Sequence, residues 1–482
     1  MDDQSEVIEF LKRGAEFVRE THVSYVFLHK DFVYKLKKSV SLPFVDQSSR
    51  ARRRELCEAE LRRNRRTAPG LYLAVRGVGA EGFDPPVPQD YVVEMRRFDE
   101  AGLLSALARR GALAPGLLRA LADEIAMFHQ GAERLARDGA AALGRVIAGN
   151  EERLRAFVPP LPEAEVEALI GATRAALARQ AARLAARGAE HIRRCHGDLH
   201  LGNIVAIGGQ PVLFDAIEFS DEFAVIDTAY DVAFLLMDLC AEAAPESANL
   251  VMNRYIDRTG DEAAVALLPL FMAVRAAIRA HVLAAQGRDG VAYVHLSAAA
   301  LCPAVPRLVA IGGMSGTGKS TLAAALAPRF GGLAGARVLR SDVLRKRLFG
   351  VAPETRLGAQ AYTVAASDRT YGEMFDQAGR ALAAGVSVGL DAAFLRGEER
   401  EAAEALAARH GVAFSGFWLE APEVVLAARI EGRENDASDA TAAVMRAQRA
   451  HVTGPQTWRR LDAAASLQDS LDLCLRAFQD SA

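Results

Sequence analysis

The stretch RLVAIGGMSGTGKSTLAAALA, Arg307 to Ala327, decides the architecture of the C-terminal part of the chain. Leu308 to Ile311 form an unbroken apolar run, as in a strand buried on both faces. Gly313 to Ser320 then fit the spacing GxxxxGK[ST], and the alanine- and leucine-rich run from Lys319 favours a helix. Strand, glycine-rich turn and helix in immediate succession make a cradle for phosphate oxygens. Glycines let successive N–H groups turn inward, and the helix N-terminus adds positive potential. The expected lining is Gly313, Ser315, Gly316, Thr317, Gly318 and Thr321, with Lys319 neutralising β/γ-phosphate charge and Ser320 placed to bind Mg2+.

Downstream, ARVLRSD, VSVGLDAAF and AFSGFWLE are short apolar strands alternating with helical stretches, the pattern of a doubly wound parallel sheet. In such sheets ligands lie beyond the carboxyl ends of the strands, where VLRSD puts Asp342 and VGLD puts Asp391. Asp342, with Arg345 one turn on, is placed to accept a hydroxyl proton from a phosphoryl acceptor, and Asp391 to hold hydrated magnesium. The alternative for either aspartate is a helix cap. AARIEGREN sets Arg429 and Arg433 at i, i+4 on one helix face, where a lid would bring them to transferring phosphates; solvated surface charge is the alternative. This arrangement, from Arg307 to the C-terminus, resembles small P-loop kinases of the polynucleotide-kinase, gluconate-kinase and zeta-toxin-like group. The resemblance implies ATP as donor and a hydroxyl of a small molecule, or a nucleic-acid 5′ end, as acceptor.

Upstream, two prolines in LCPAVPR, Leu301 to Arg307, mark the expected joint, giving an N-terminal domain over 1–300 and a C-terminal one over 307–482. A length of 482 residues agrees with more than one core. With 51% hydrophobic and 25% charged residues the chain is globular, and a formal net charge of −3 gives no general attraction to nucleic acid or membrane. Five scattered cysteines without CxxC spacing argue against a disulfide framework or a zinc site, so a reducing cytoplasm is expected. The acidic start MDDQSEVIEF is unlike a signal peptide, and no apolar run reaches the roughly 18 residues of a bilayer span.

Within the N-terminal part, YVFLHKDFVYKLK, Tyr25 to Lys37, reads as a hairpin turning at His29-Lys30-Asp31. Alternation puts Val33, Lys35 and Lys37 on one face of its second strand. RARRRELCEAELRRNRR is a charged helix with Glu-to-Arg pairs at helical spacing; interleaved glutamates and the absence of aromatics favour a solvated face over a nucleic-acid surface. YVVEM, Tyr91 to Met95, is a short strand. Helical periodicity follows from Ala101 to about Glu190, a strand signal returns at LFDAIEF, and apolar helix runs on to about Ala300.

CHGDLHLGN, Cys195 to Asn203, concentrates ligand-capable side chains: Asp198 and Asn203, then Asp215 at the start of DAIEF. Phosphoryl transfer of the protein-kinase type needs a carboxylate at the acceptor hydroxyl, an amide oxygen for one magnesium, and a second carboxylate bridging metal to phosphates. HGDLHLGN, LFDAIEF and IDTAYDVAFL together resemble the aminoglycoside-phosphotransferase, choline-kinase-like family, from about Glu6 to Ala300. The resemblance implies a bilobal protein-kinase-like fold, with a small lobe to about residue 98. It implies Asp198 as base, Asn203 and Asp215 as magnesium ligands, His196 as loop support and Asp231 as structural anchor. It further implies that Lys35 contacts phosphates and pairs with a glutamate of the charged helix, Glu60 before Glu58 or Glu55, with Lys37 a rival for Lys35. No GxGxxG loop precedes the hairpin, which reads ETHVSYVFL instead, so the nucleotide cover must be built differently or the domain is a noncatalytic regulator of its neighbour. His200 and His129 read as loop scaffold and core. The whole chain is thus expected to be a bifunctional ATP- and Mg2+-dependent phosphotransferase.

Overall fold

The computed structural model describes residues 2–42, 45–431, 438–439 and 441–479. Its contacts divide the chain into two compact units, Met1–Ala156 with Arg174–Ala243, and Phe157–Thr173 with Ala244–Ala482. This division does not follow the proline-rich joint.

The first unit opens with an antiparallel sheet of five strands in the order Phe17–Glu20, Ser24–Leu28, Phe32–Lys37, Asp90–Arg96, Tyr72–Val78. Side-chain alternation explains its two faces. Tyr34 and Leu36 point into a core with Val7, Leu11, Phe27, Val78 and Val92, which the helix Ser5–Lys12 covers. Lys35 and Lys37 project from the other face, towards the charged helix Arg50–Asn64. The tip between the first two strands is closed by polar bonds: Thr21 N–H donates to Ser24 O (2.9 Å) and Ser24 N–H to Thr21 Oγ1 (2.9 Å).

Beyond the sheet the unit is mostly helical, including Pro115–Gly131, Gly139–Ala156 and Thr228–Glu242. Two small antiparallel pairs interrupt it: Ile204–Ile207 with Gln210–Leu213, and Ile192–Arg194 with Val225–Asp227. The strand expected over LFDAIEF ends at Leu213, because the chain turns at Asp215, a non-glycine residue at φ 62°.

The second unit holds a wholly parallel sheet in the order Arg337–Arg340, Val388–Asp391, Arg307–Gly313, Ala413–Glu420, Arg459–Asp462. Alternate residues of the central strand feed two cores. Leu308 and Ala310 join Leu390, Trp418 and Met374 on one face, while Val309 and Ile311 join Leu322, Phe417 and Leu471 on the other. Helices therefore cover both faces, which is the doubly wound arrangement.

The edge strand Arg337–Arg340 is shielded by polar side chains rather than by another strand. The helix Pro245–Thr259 presents Asn249, Asn253 and Asp257 four residues apart, on one face. Asn249 Nδ2 donates to Ala334 O (2.8 Å) and Ala336 O (2.9 Å), and Asn253 Oδ1 accepts the edge N–H of Val338 (2.8 Å). Fully buried Arg337 is held by Asp257 (2.7 Å) and Glu262 (2.9 Å). Otherwise unpaired edge groups are thereby satisfied, which is why residues from Ala244 onward pack with this sheet.

Among the described residues one helix, Leu268–Ala285, is long and apolar enough to cross a membrane by length and composition; it carries Arg275 and Arg279, and 67% of it is buried within the protein. None of the five cysteines forms a disulfide.

Candidate active sites

In the first unit the site grows from the lysine face. Glu60, one turn from the end of the charged helix, is fully buried and accepts Lys35 Nζ at 2.9 Å and Lys37 Nζ at 2.7 Å. Lys35 also reaches Asp215 at 2.6 Å, whereas Lys37 is enclosed, 1% exposed, with Glu218 as its second partner. Burial alone would make these ammonium groups give up protons. For Lys35, however, Asp215, Glu60 and Glu218 outweigh it and hold the group well above the usual lysine range. Burial likewise pushes Glu60 towards protonation, and its two lysines reverse that and leave it below the usual carboxylate value. Glu55 and Glu58, the other candidates, pair with Arg52 and Arg54 at the surface.

The backbone at Asp215 is fixed from two sides. Its N–H donates to the Tyr72 hydroxyl (3.1 Å), and the next N–H, of Ala216, donates to Asn64 Oδ1 (2.8 Å). A left-handed aspartate costs roughly 1–3 kcal/mol and persists only where neighbours over-determine it, as here.

The loop His196–Asn203 is similarly anchored. Buried Asp231 accepts the N–H groups of His196 (3.0 Å) and Gly197 (2.9 Å) and bonds His129 Nε2 (3.1 Å). Leu201 N–H donates to Asp238 (3.1 Å). His196 Nε2 bonds Phe214 O (2.9 Å), and burial lowers its pKa and keeps the ring neutral, so this nitrogen is the donor. His200 Nδ1 accepts Gly202 N–H (3.0 Å), leaving Nε2 3.4 Å from Asp198 Oδ2. Asn203 Nδ2 donates to Asp198 O (3.0 Å) and Oδ2 (2.9 Å) while its backbone carbonyl accepts Phe214 N–H (3.0 Å). One asparagine thus bonds Asp198 through its side chain and Phe214, the residue before Asp215, through its backbone. The Asn203 amide oxygen accepts no hydrogen bond among the described residues, and with the Asp215 carboxylate it is a hard oxygen donor set that fits Mg2+.

In the second unit a cavity of about 920 Å³ is lined by Ser315, Gly316, Lys319, Ser320, Asp342 and Asp391, among others. Gly313, at φ 136°, shows why the turn needs glycine: a Cβ there would lie 2.5 Å from Leu419 O. Thr317 Oγ1 donates to Met314 O (2.8 Å), Lys319 Nζ to the same carbonyl (2.9 Å), and Gln448 Oε1 accepts Ser315 N–H (2.9 Å). Thr321 and Arg429 also line the cavity; Arg433 lies outside the described residues.

Asp342 is the second residue of the helix Ser341–Leu348 and Asp391 ends a strand, so neither is an N-cap. Burial raises the Asp342 carboxyl above the usual aspartate range. Asp391 is bonded by Arg340 Nε (3.2 Å), whose Nη2 reaches Ser320 Oγ (3.1 Å). A hydroxyl and a carboxylate bridged by a cation are again a hard oxygen pair that fits Mg2+.

Sequence reasoning passed over several groups. Arg340, beside Asp342 in VLRSD, and Glu218, the charge in DAIEF, were both visible as charges in apolar runs. Tyr72, Asn64 and Gln448 carry no local signal, because they act across long sequence separations. Tyr371 accepts Phe394 N–H (2.8 Å), holding Phe394 at φ 50° beside the cavity.

Residues 44–268 match the phosphotransferase enzyme family and residues 308–455 match the AAA domain family. An uncharacterized protein of Mycobacterium tuberculosis is 31% identical over 475 residues, covering 94% of this chain and 93% of its own. A choline/ethanolamine kinase family protein from Mesorhizobium loti is 16% identical, with 60% of this chain and 87% of that one covered at a TM-score of 0.39. A sugar kinase from Janibacter sp. HTCC2649 is 20% identical, with 37% and 96% covered at a TM-score of 0.28. The last two superpose too loosely to add to the sequence matches.

Proposed function

The chain belongs to the same family as its mycobacterial relative, and in it a region matching the phosphotransferase enzyme family is followed by one matching the AAA domain family; on that footing we propose that each half transfers the γ-phosphoryl group of ATP to a hydroxyl of a small molecule. It is an enzyme of the kinase and phosphotransferase class; what is proposed is that both halves are active, on what, and through which residues. The observation that carries the reading is the same in both units: a lysine, oxygen ligands for a divalent ion and a further carboxylate lie together.

In the first unit Lys35 takes the nucleotide phosphates and Asn203 and Asp215 hold the metal. Asp198, oriented by Asn203, accepts the acceptor's hydroxyl proton. In the second, main-chain N–H groups and Lys319 take the phosphates, Ser320 and Asp391 hold the metal, Arg429 steadies the transferring group, and Asp342 accepts the proton. When bound, Mg2+ supplies charge neutralisation along the phosphates. Positioning and charge stabilisation do the remainder, since phosphoryl transfer needs little covalent help.

The second acceptor carries an anion. Arg345 is 6% exposed, lines the cavity, and has no carboxylate partner among the described residues. Its Nη1 donates to Ala361 O (2.6 Å), the Tyr362 ring lies 4.9 Å away, and its buried Nε has no partner. A buried cation without a counter-charge is costly unless a ligand supplies one. Five cysteines without a disulfide agree with a reducing, cytoplasmic setting.

ADP release by the full chain with a panel of hydroxylated acids, sugars, amino alcohols and 5′-hydroxyl oligonucleotides tests the reading. Asp198→Asn is expected to abolish turnover of one acceptor and Lys319→Ala that of another. If Asp198→Asn leaves every activity intact, the first half is a regulator rather than an enzyme.

A further inference from the structure

Gln448 lies far from the glycine-rich turn in sequence, yet its side chain is bonded into it: Oε1 accepts the N–H of Ser315 (2.9 Å). The peptide so held is the one that joins Met314 to Ser315. Its carbonyl oxygen, on the opposite edge of the same planar trans unit, is taken by Lys319 Nζ (2.9 Å) and Thr317 Oγ1 (2.8 Å). One peptide of the turn is thus gripped from both edges, by the lysine assigned to the phosphates and by a glutamine with no part in the transfer.

The helix that carries the glutamine is seated for this contact. Met445, 2% exposed, packs with Leu426, Ile430 and Met314. Gln448 follows three residues on, over the same face of the helix Ala442–Ala450. Neighbours on one helix face therefore meet neighbours in the turn, Met445 on Met314 and Gln448 on Ser315. Arg446 and Arg449 tie the helix to Glu423, at 3.0 Å and 3.7 Å.

The residue type is informative. Were capping the Ser315 N–H the whole purpose, a glutamate would do it more strongly, because an ionised acceptor makes the stronger hydrogen bond. A glutamine caps with its oxygen and carries two further donors on Nε2. That nitrogen makes no hydrogen bond among the described residues, although Gln448 lines the cavity. A neutral group that accepts from the turn and still offers N–H suits an anion that a carboxylate would repel.

We propose that Gln448 donates from Nε2 to the terminal phosphate of a bound nucleoside triphosphate while its Oε1 keeps hold of the turn, so that this side chain lets the second unit tell triphosphate from diphosphate. The inference rests on reading the second unit as a nucleotide site. The terminal phosphate is singled out because Lys319, which neutralises β/γ charge in such turns, bonds the other edge of the same peptide.

Equilibrium titration of the full chain with Mg-ADP and with Mg-AMP-PNP, a non-hydrolysable triphosphate, tests this in an Asp215→Ala background that silences the first unit. Gln448→Ala should weaken AMP-PNP by about tenfold or more, the scale of one hydrogen bond to a charged group, and leave ADP within about twofold. Unchanged ADP affinity also shows that the turn is intact. Gln448→Glu keeps an oxygen for the Ser315 N–H and loses the donor, so it should weaken AMP-PNP relative to ADP at least as much. Either variant binding both nucleotides as its parent does, or Gln448→Ala weakening both equally, would mean that Gln448 only braces the turn and would overturn the proposal. If the Asp215→Ala parent binds neither nucleotide, the nucleotide reading of the second unit falls and the inference with it.

Discussion

Asp231→Asn should destabilise the first unit because one carboxylate organises the loop His196–Asn203. Asp231 is fully buried; one oxygen takes His196 N–H at 3.0 Å and His129 Nε2 at 3.1 Å, and the other takes Gly197 N–H at 2.9 Å. An asparagine must turn its NH2 towards one of the two backbone donors, leaving at least one buried N–H unmatched, at about 1–3 kcal/mol. The bonds that survive lose their charge assistance, which adds about 1 kcal/mol. A total of about 2–4 kcal/mol corresponds to a fall in Tm of roughly 5–15 °C for a unit of this size. Scanning calorimetry of the full chain reads it, with the second unit's transition identified as the one whose shift by Mg-ADP is lost in Lys319→Ala. A fall below about 2 °C in the other transition would refute the reasoning that this residue carries three buried hydrogen bonds.

Gly313→Ala would place a methyl group 2.5 Å from Leu419 O at a left-handed φ, so nucleotide binding by the second unit should be lost; fluorescent ADP titration in an Asp215→Ala background measures it. Arg345→Met should raise KM for the second unit's anionic acceptor by about 10- to 100-fold, in line with about 1.5–3 kcal/mol for a charged hydrogen bond, and leave ADP affinity unchanged. Glu60, held below the usual carboxylate value by Lys35 and Lys37 despite burial, contributes stability that is present above the ordinary glutamate pKa of about 4.3 and lost as pH falls below it. Acid titration followed by circular dichroism should therefore show a first-unit transition in that range whose pH dependence Glu60→Gln weakens.

Much of both sites was legible because their chemistry is local in sequence. The turn around Lys319 needs glycines at fixed offsets from a strand and a helix, and HGDLHLGN carries Asp198 and Asn203 on one loop. The pairing of Lys35 with Glu60 was expected from the family resemblance, with Glu58, Glu55 and Lys37 as alternatives, and Glu60 is bonded by both lysines. What escaped was set by distant register. Nothing near Tyr72 or Asn64 announces that they hold the backbone at Asp215, and the left-handed turn there ended a strand that composition favoured. By packing the compact units divide between Ala243 and Ala244, and prolines punctuate a connection without saying what packs on what. The stripe Asn249, Asn253, Asp257 was the missed signal: polar residues four apart on one face of a helix need partners where that face is buried, and the edge strand Arg337–Arg340 and the residues just before it supply them.

The central claim, two separate pockets for a nucleotide's phosphates in one chain, is tested most directly by the stoichiometry of Mg-ADP binding in isothermal titration calorimetry. Wild type should bind about two equivalents, and Lys319→Ala and Asp215→Ala about one each, with the double variant binding none. A single equivalent in wild type, abolished by one substitution and untouched by the other, would contradict it.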